Sequence, residues 1–157
     1  MPPKPLLDFS TIDLNHVEDD LAGIQRYNPQ RFEFQQLDGI IYYNEPEGIV
    51  VGFKNVRTDE FWVRGHIPGR PLLPGVLMCE AAAQLCSYFF KRCTQTPDFV
   101  GFGGIDAVKF RGAVVPGDKF LLVAKRVELI SRRAIFDVQG FVNGKMVYEG
   151  RITGIRM

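Results

Sequence analysis

The stretch "RGHIPGRPLLPGVLMCEAAAQLCSYFF", residues 64–90, decides how the rest of the chain must be arranged. Its first half is punctuated by Gly65, Pro68, Gly69, Pro71 and Pro74, which suit neither a helix interior nor a central strand and so predict a fixed loop. From Pro74 to about Lys91 the breakers stop. Val76, Leu77, Met78, Ala81, Ala82, Leu85, Tyr88, Phe89 and Phe90 then leave this segment apolar nearly all round, which predicts one long helix buried on most sides. Pro74 suits the first helical position, and Lys91 and Arg92 oppose the dipole at the far end.

A helix of that kind needs a layer to bury it. The four segments that follow are "FVGFGGIDAVKF", "DKFLLVAKRVELI", "RAIFDVQGFV" and "KMVYEGRITGI". They are rich in Val, Ile, Leu and Phe, alternate in places, and read as strands. "SRR" and Asn143-Gly144 fall where hairpin turns belong. Upstream, "NPQRFEFQQLDGIIYYNEPEGIVVGFKNV" reads as strand, turn and strand, with Asn44, Pro46 and Gly48 marking the turn. Leu14, Val17, Leu21 and Ile24 recur at helical spacing and predict a short helix. The expected class is α+β, an antiparallel sheet wrapped around one long central helix. Residues 1–157 form a single domain on this reading, with 1–12 as a Pro-rich N-terminal arm.

Composition narrows the function. The chain has 157 residues, is 46% hydrophobic and carries a net charge of +1 with no basic block, which argues against a nucleic-acid binder. No apolar run reaches the roughly 18 residues of a membrane span. No long apolar core follows Lys4, so the expected location is cytoplasmic. Cys79, Cys86 and Cys93 stand seven apart, about 10 Å per step on a helix. That is too far for a disulfide or a shared metal, and they are expected to pack as small apolar residues.

Two ionisable groups remain for chemistry. His66 sits on the rigid loop, and imidazole titrates near working pH, so it can serve as a base; the plainer alternative is a histidine that hydrogen-bonds its own loop. Glu80 lies within the apolar helix, where burial favours the protonated form that a general acid needs. A glutamate that reaches water or an arginine is the alternative. Gln84, one turn on, can hydrogen-bond what Glu80 touches. "RPLLPG" offers no Ser, Thr, Asp or Asn cap, so the backbone N–H of Gly75 is free to hold a substrate carbonyl unless water takes it. A base, a buried acid and a carbonyl-polarising amide suit proton abstraction beside a carbonyl, coupled to loss or addition of a hydroxyl one carbon further on.

"GHIPGRPLLPGVLMCEAAAQ", "FGGIDAVKFRGAVVPGD" and, more faintly, "NPQRFEFQQLDGI" closely resemble the beta-hydroxyacyl-acyl carrier protein dehydratases of bacterial fatty-acid synthesis, which have the hotdog fold. The resemblance covers roughly residues 25–155. It implies that His66 removes the α-proton, that Glu80 protonates the leaving hydroxyl, and that the Gly75 amide binds the thioester carbonyl. It also implies that the two side chains come from different subunits of a homodimer, which can assemble further as a trimer of dimers. The substrate would arrive on the phosphopantetheine of an acyl carrier protein, with no other cofactor and no metal. A sister branch that also isomerises the double bond carries aspartate at this position, so Glu80 points to the dehydratase-only branch. The sequence departs from the family where "HRYPFLL" becomes "QRFEFQQ", Gln30 to Gln36, and where Arg64 replaces the usual glutamine before "GH". A hotdog acyl thioesterase and a non-catalytic acyl-carrier or lipid-binding module are the rival readings. "GFGGID" lacks the lysine and strand-to-helix setting of a phosphate loop, and His16 lies in a polar segment.

Overall fold

The computed structural model describes residues 1–157. The long helix, α2, runs Gly75–Thr94. It starts at Pro74 with no side-chain cap and stops where Gln95 turns left-handed (φ 57°, ψ 23°) and donates its N–H to the Lys91 carbonyl. It therefore ends one turn beyond the expected Lys91. Arg92 does more there than oppose the dipole. It donates to the Tyr88 hydroxyl at 2.8 Å and to Glu18 at 2.9 Å, and its guanidinium lies 3.9 Å from the centre of the Tyr43 ring.

Six strands form one sheet: β1 Gly39–Asn44, β2 Ile49–Asn55, β3 Val100–Phe110, β4 Lys119–Ile130, β5 Arg133–Val142 and β6 Lys145–Arg156. Their spatial order is β1-β2-β4-β5-β6-β3, every neighbouring pair antiparallel. Asn143 and Gly144, both at positive φ, make the two-residue turn between β5 and β6. The two-residue period of a strand divides each face. On β4, Phe120, Leu122 and Ala124 face α2 in the main core, whereas Val123 belongs to a second cluster behind the sheet with Ile41, Val51 and Phe141. One long helix held against a curved antiparallel sheet is the hotdog fold expected from the sequence.

The first dozen residues cover that second cluster. Leu6, Leu7, Phe9 and Ile12 pack on it, and the rings of Phe9 and Phe141 meet edge to face at 5.1 Å. Buried Gln139 clamps the arm, accepting from the Leu6 amide at 2.8 Å and donating to the Lys4 carbonyl at 3.1 Å.

Two expectations need correction. The short helix, α1, spans only Leu21–Gln25. The Asp20 side chain caps it by accepting from the Gly23 amide at 3.0 Å, and the amides of Glu18 and Asp19 bond to the Ile40 carbonyl beside β1. Edge pairing thus overrides the helical spacing, and Leu14 and Val17 stay exposed. The upstream strand begins at Gly39, not at Asn28: Phe32–Phe34 form a single tight turn with Phe32 at φ 56°.

β3 is an edge strand, paired only with β6, and Phe102, Ile105 and Phe110 stand exposed on it. A Cβ at Gly103 would fall 2.2 Å from an Ile155 side-chain carbon, so this glycine of "GFGGID" serves a close approach between β3 and β6. Cys86 is buried, and Cys79 and Cys93 pack half-buried against the core. His16 is exposed beside Glu18 at 3.5 Å.

Candidate active site

The loop between β2 and α2 carries His66, and a buried ion pair anchors it. Lys54 of β2 and Glu60 are 2% and 6% exposed. One Glu60 oxygen accepts from Lys54 Nζ at 2.5 Å and Trp62 Nε1 at 3.2 Å, and the other accepts from the Arg57 amide at 2.8 Å. The Trp62 carbonyl then receives the His66 amide at 2.9 Å. Composition did not reveal this pair. The available signal was parity: Lys54 falls on the same inward face of β2 as Val50 and Gly52.

His66 Nδ1 lies 2.8 Å from the Leu72 carbonyl. A carbonyl only accepts, so this contact places the ring proton on Nδ1 and leaves the Nε2 lone pair free to act as a base. His66 shares a shallow hollow with Phe61, Trp62, Pro74 and Val76, so the imidazole and the start of α2 lie together. The amides of Gly75 and Val76 have no acceptor within the helix, where the dipole is positive. The Phe110 ring covers the Cα of Gly75, and a Cβ there would lie 2.8 Å from it. Arg64 is exposed on the same loop.

Glu80 projects from α2 into a different space, a cavity of about 150 Å³ lined also by Gln30, Ala83, Ser87 and Phe90. Desolvation of the half-buried carboxyl pushes its pKa above the usual carboxylate range, against a smaller opposing pull from its hydrogen bond with Gln84. Gln84 is itself buried and fully engaged. Its Nε2 donates to Glu80 Oε2 at 3.1 Å and to the Phe34 carbonyl at 2.8 Å, and its Oε1 accepts from the Gln36 amide at 2.9 Å. Asn28 Nδ2 adds a bond to the Gln84 carbonyl at 2.8 Å. The departures at Gln30 and Gln36 therefore touch the cavity and its supporting network.

Within one chain the base and the acid line separate hollows. His66 and Gly75 stand at the head of α2, and Glu80 and Gln84 stand further along it in the apolar cavity. No group of His, Cys, Asp and Glu is arranged to hold a metal ion.

A histidine with Nε2 free, a carboxyl pushed toward its neutral form and an uncapped helix start, all on a hotdog scaffold, are groups capable of acid–base chemistry. Comparison with known proteins identifies the family. Residues 28–151 match the model of the FabA-like domain. The 3-hydroxyacyl-acyl-carrier-protein dehydratase FabZ of Teredinibacter turnerae is 37% identical over 139 residues, covering 85% of this chain and 93% of that protein. The enzyme of the same name from Streptococcus mutans is 33% identical, covering 85% and 95%. Among solved structures, the dehydratase heterocomplex ApeI:P from Xenorhabdus doucetiae superposes with a TM-score of 0.73 at 17% identity, covering 85% of this chain and 90% of that one. The chain belongs to the FabA-like domain family.

Proposed function

We propose that this protein is a hydro-lyase that dehydrates (3R)-3-hydroxyacyl thioesters of acyl carrier protein to the trans-2-enoyl products in fatty-acid biosynthesis. The observation that carries the reading is Glu80, a carboxyl held toward its protonated form in an apolar cavity, in a chain 37% identical to a FabZ dehydratase along most of its length. His66 Nε2 takes the α-proton, and the electron pair moves toward the thioester carbonyl. The Gly75 amide donates to that carbonyl oxygen as charge builds there. The pair then returns to form the double bond while Glu80 gives its proton to the β-hydroxyl, which leaves as water. His66 ends protonated and Glu80 ionised, and proton return from the imidazolium to the carboxylate resets the site.

Since one chain keeps the two groups in separate hollows, His66 of one protomer works with Glu80 of its partner. The open edge of β3, with Phe102 and Ile105 exposed, supplies a surface for such a homodimer or for a trimer of dimers. The whole chain serves as one hotdog domain. It acts in the cytoplasm without metal or nucleotide, its substrate tethered through phosphopantetheine, and the glutamate at position 80 favours dehydration without isomerisation. No helix is long and apolar enough to cross a membrane.

The test supplies a hydroxyacyl thioester and follows enoyl absorbance and free thiol together. Enoyl formation that disappears in folded His66→Ala and Glu80→Gln variants supports the dehydratase. Thiol release without enoyl product overturns it in favour of a thioesterase, and silence in every sample overturns it in favour of a binding module.

A further inference from the structure

His66 stands on a loop that leans little on the rest of its own chain. Residues 64–70 are exposed within that chain, and a Cβ added at Gly65 or Gly69 would meet nothing within 4 Å. The grip of the loop on the core lies at two feet, Trp62 and Leu73, both buried. His66 bridges them. Its backbone N–H donates to the Trp62 carbonyl at 2.9 Å, and its ring Nδ1 lies 2.8 Å from the carbonyl of Leu72, beside the second foot. The Leu73 amide donates in turn to the Val114 carbonyl at 2.8 Å. The direction of the imidazole therefore follows the spacing and tilt of the two feet.

Glu60 sets the first foot. Its carboxylate gathers donors from three separate places: Nζ of Lys54 on β2, the indole Nε1 of Trp62 and the Arg57 amide. Charge-assisted bonds of this kind are directional, so together they fix the indole and the course of the chain leading to it. Stability alone does not account for the arrangement, because a buried ion pair exchanged for apolar residues of similar volume is often no less stable. Apolar residues cannot supply direction. We propose that Glu60, held by Lys54, is a positioning residue for the base, acting through Trp62 to keep His66 Nδ1 on the Leu72 carbonyl and Nε2 free for the substrate. This role rests on the dehydratase reading above.

The test separates position from stability. Lys54→Met with Glu60→Met keeps similar volume and removes all three bonds to the carboxylate. Urea denaturation should find this variant folded, while kcat for enoyl formation falls about 10²-fold, the cost of a roughly 1 Å misplacement, with KM nearly unchanged. Lys54→Met with Glu60→Gln retains an acceptor oxygen for Trp62 and should regain part of the lost rate. A signal independent of turnover comes from the ring itself. His16 and His66 are the chain's only histidines, so nitrogen NMR of protein carrying isotope-labelled histidine reads His66 with exposed His16 as its control. Neutral His66 should carry its proton on Nδ1 in the wild type. In the double methionine variant the proton should shift toward Nε2, the position that a free imidazole side chain favours.

Unchanged kcat in the folded double methionine variant overturns the proposal, as does a fall in kcat with the His66 ring signals unmoved. A wild-type ring protonated on Nε2 overturns it without any variant. A proton shift on His66 in a protein that dehydrates no substrate upholds the positioning by Glu60 and removes the reaction instead.

Discussion

The His66 loop and the Glu80 face of α2 hold their ionisable groups by opposite means. His66 is exposed, and its conformation is set from outside the ring by the Leu72 carbonyl and by a backbone tied to the Lys54–Glu60 pair. Glu80 is half-buried, and the amide of Gln84 contacts its carboxylate directly. Solvent can therefore reach His66 freely, while desolvation raises the pKa of Glu80 by disfavouring its charged form. An enzyme that needs one group free and the other loaded at the same pH gains from that asymmetry.

The largest effect should come from removing either end. His66→Ala and Glu80→Gln are each expected to lower kcat by about 10²–10⁴-fold, the usual worth of a general acid or base. Enoyl formation by folded variants measures this, and an equal loss at both positions would show that neither group acts alone. The next effect concerns how the loop is held. Lys54→Met strands the buried Glu60 carboxylate and should cost about 3–5 kcal/mol in chemical unfolding, whereas Lys54→Met with Glu60→Met should recover much of that loss.

A smaller change reaches the helix side. Gln84→Met orphans the Phe34 carbonyl and the Gln36 amide, an expected cost of about 1–3 kcal/mol in stability. It also removes the donor that favours ionised Glu80, so the carboxyl pKa rises further. Since the acid must be protonated to act, the alkaline limb of the kcat–pH profile should move to higher pH. The smallest effect is on thermal stability. Burial raises the folded-state pKa of Glu80 above its unfolded value, so its contribution is complete at acid pH and is lost as pH rises through the folded pKa. Glu80→Gln should therefore raise Tm at neutral pH and leave it unchanged well below the ordinary glutamate pKa, as scanning calorimetry at two pH values would show.

Much of the architecture is legible in local patterns because local physics decides it. Pro74 opening a run of apolar residues predicts α2, and Asn143-Gly144 between alternating segments predicts its hairpin. Legibility fails where a partner distant in sequence intervenes. Leu14 and Val17 keep helical spacing, but the Ile40 carbonyl holds the amides of Glu18 and Asp19 in an extended course. Gln84 was read as a partner for whatever Glu80 touches; one turn on along α2, it donates to the Glu80 carboxyl itself. Its bonds to Phe34 and Gln36, some fifty residues back, carry no trace in spacing or composition. The same holds for the Lys54–Glu60 pair, whose burial becomes visible only once β2 has a defined inward side.

The strap of residues from Leu6 to Ile12 has a consequence for how copies of the molecule meet. Open sheets invite stacking, back against back, and such layers have no natural end. Here the chain's own first segment occupies the rear of the sheet, with Gln139 as its fastener. Association is thereby steered away from unlimited piles and toward contacts at the rim, where assemblies can close.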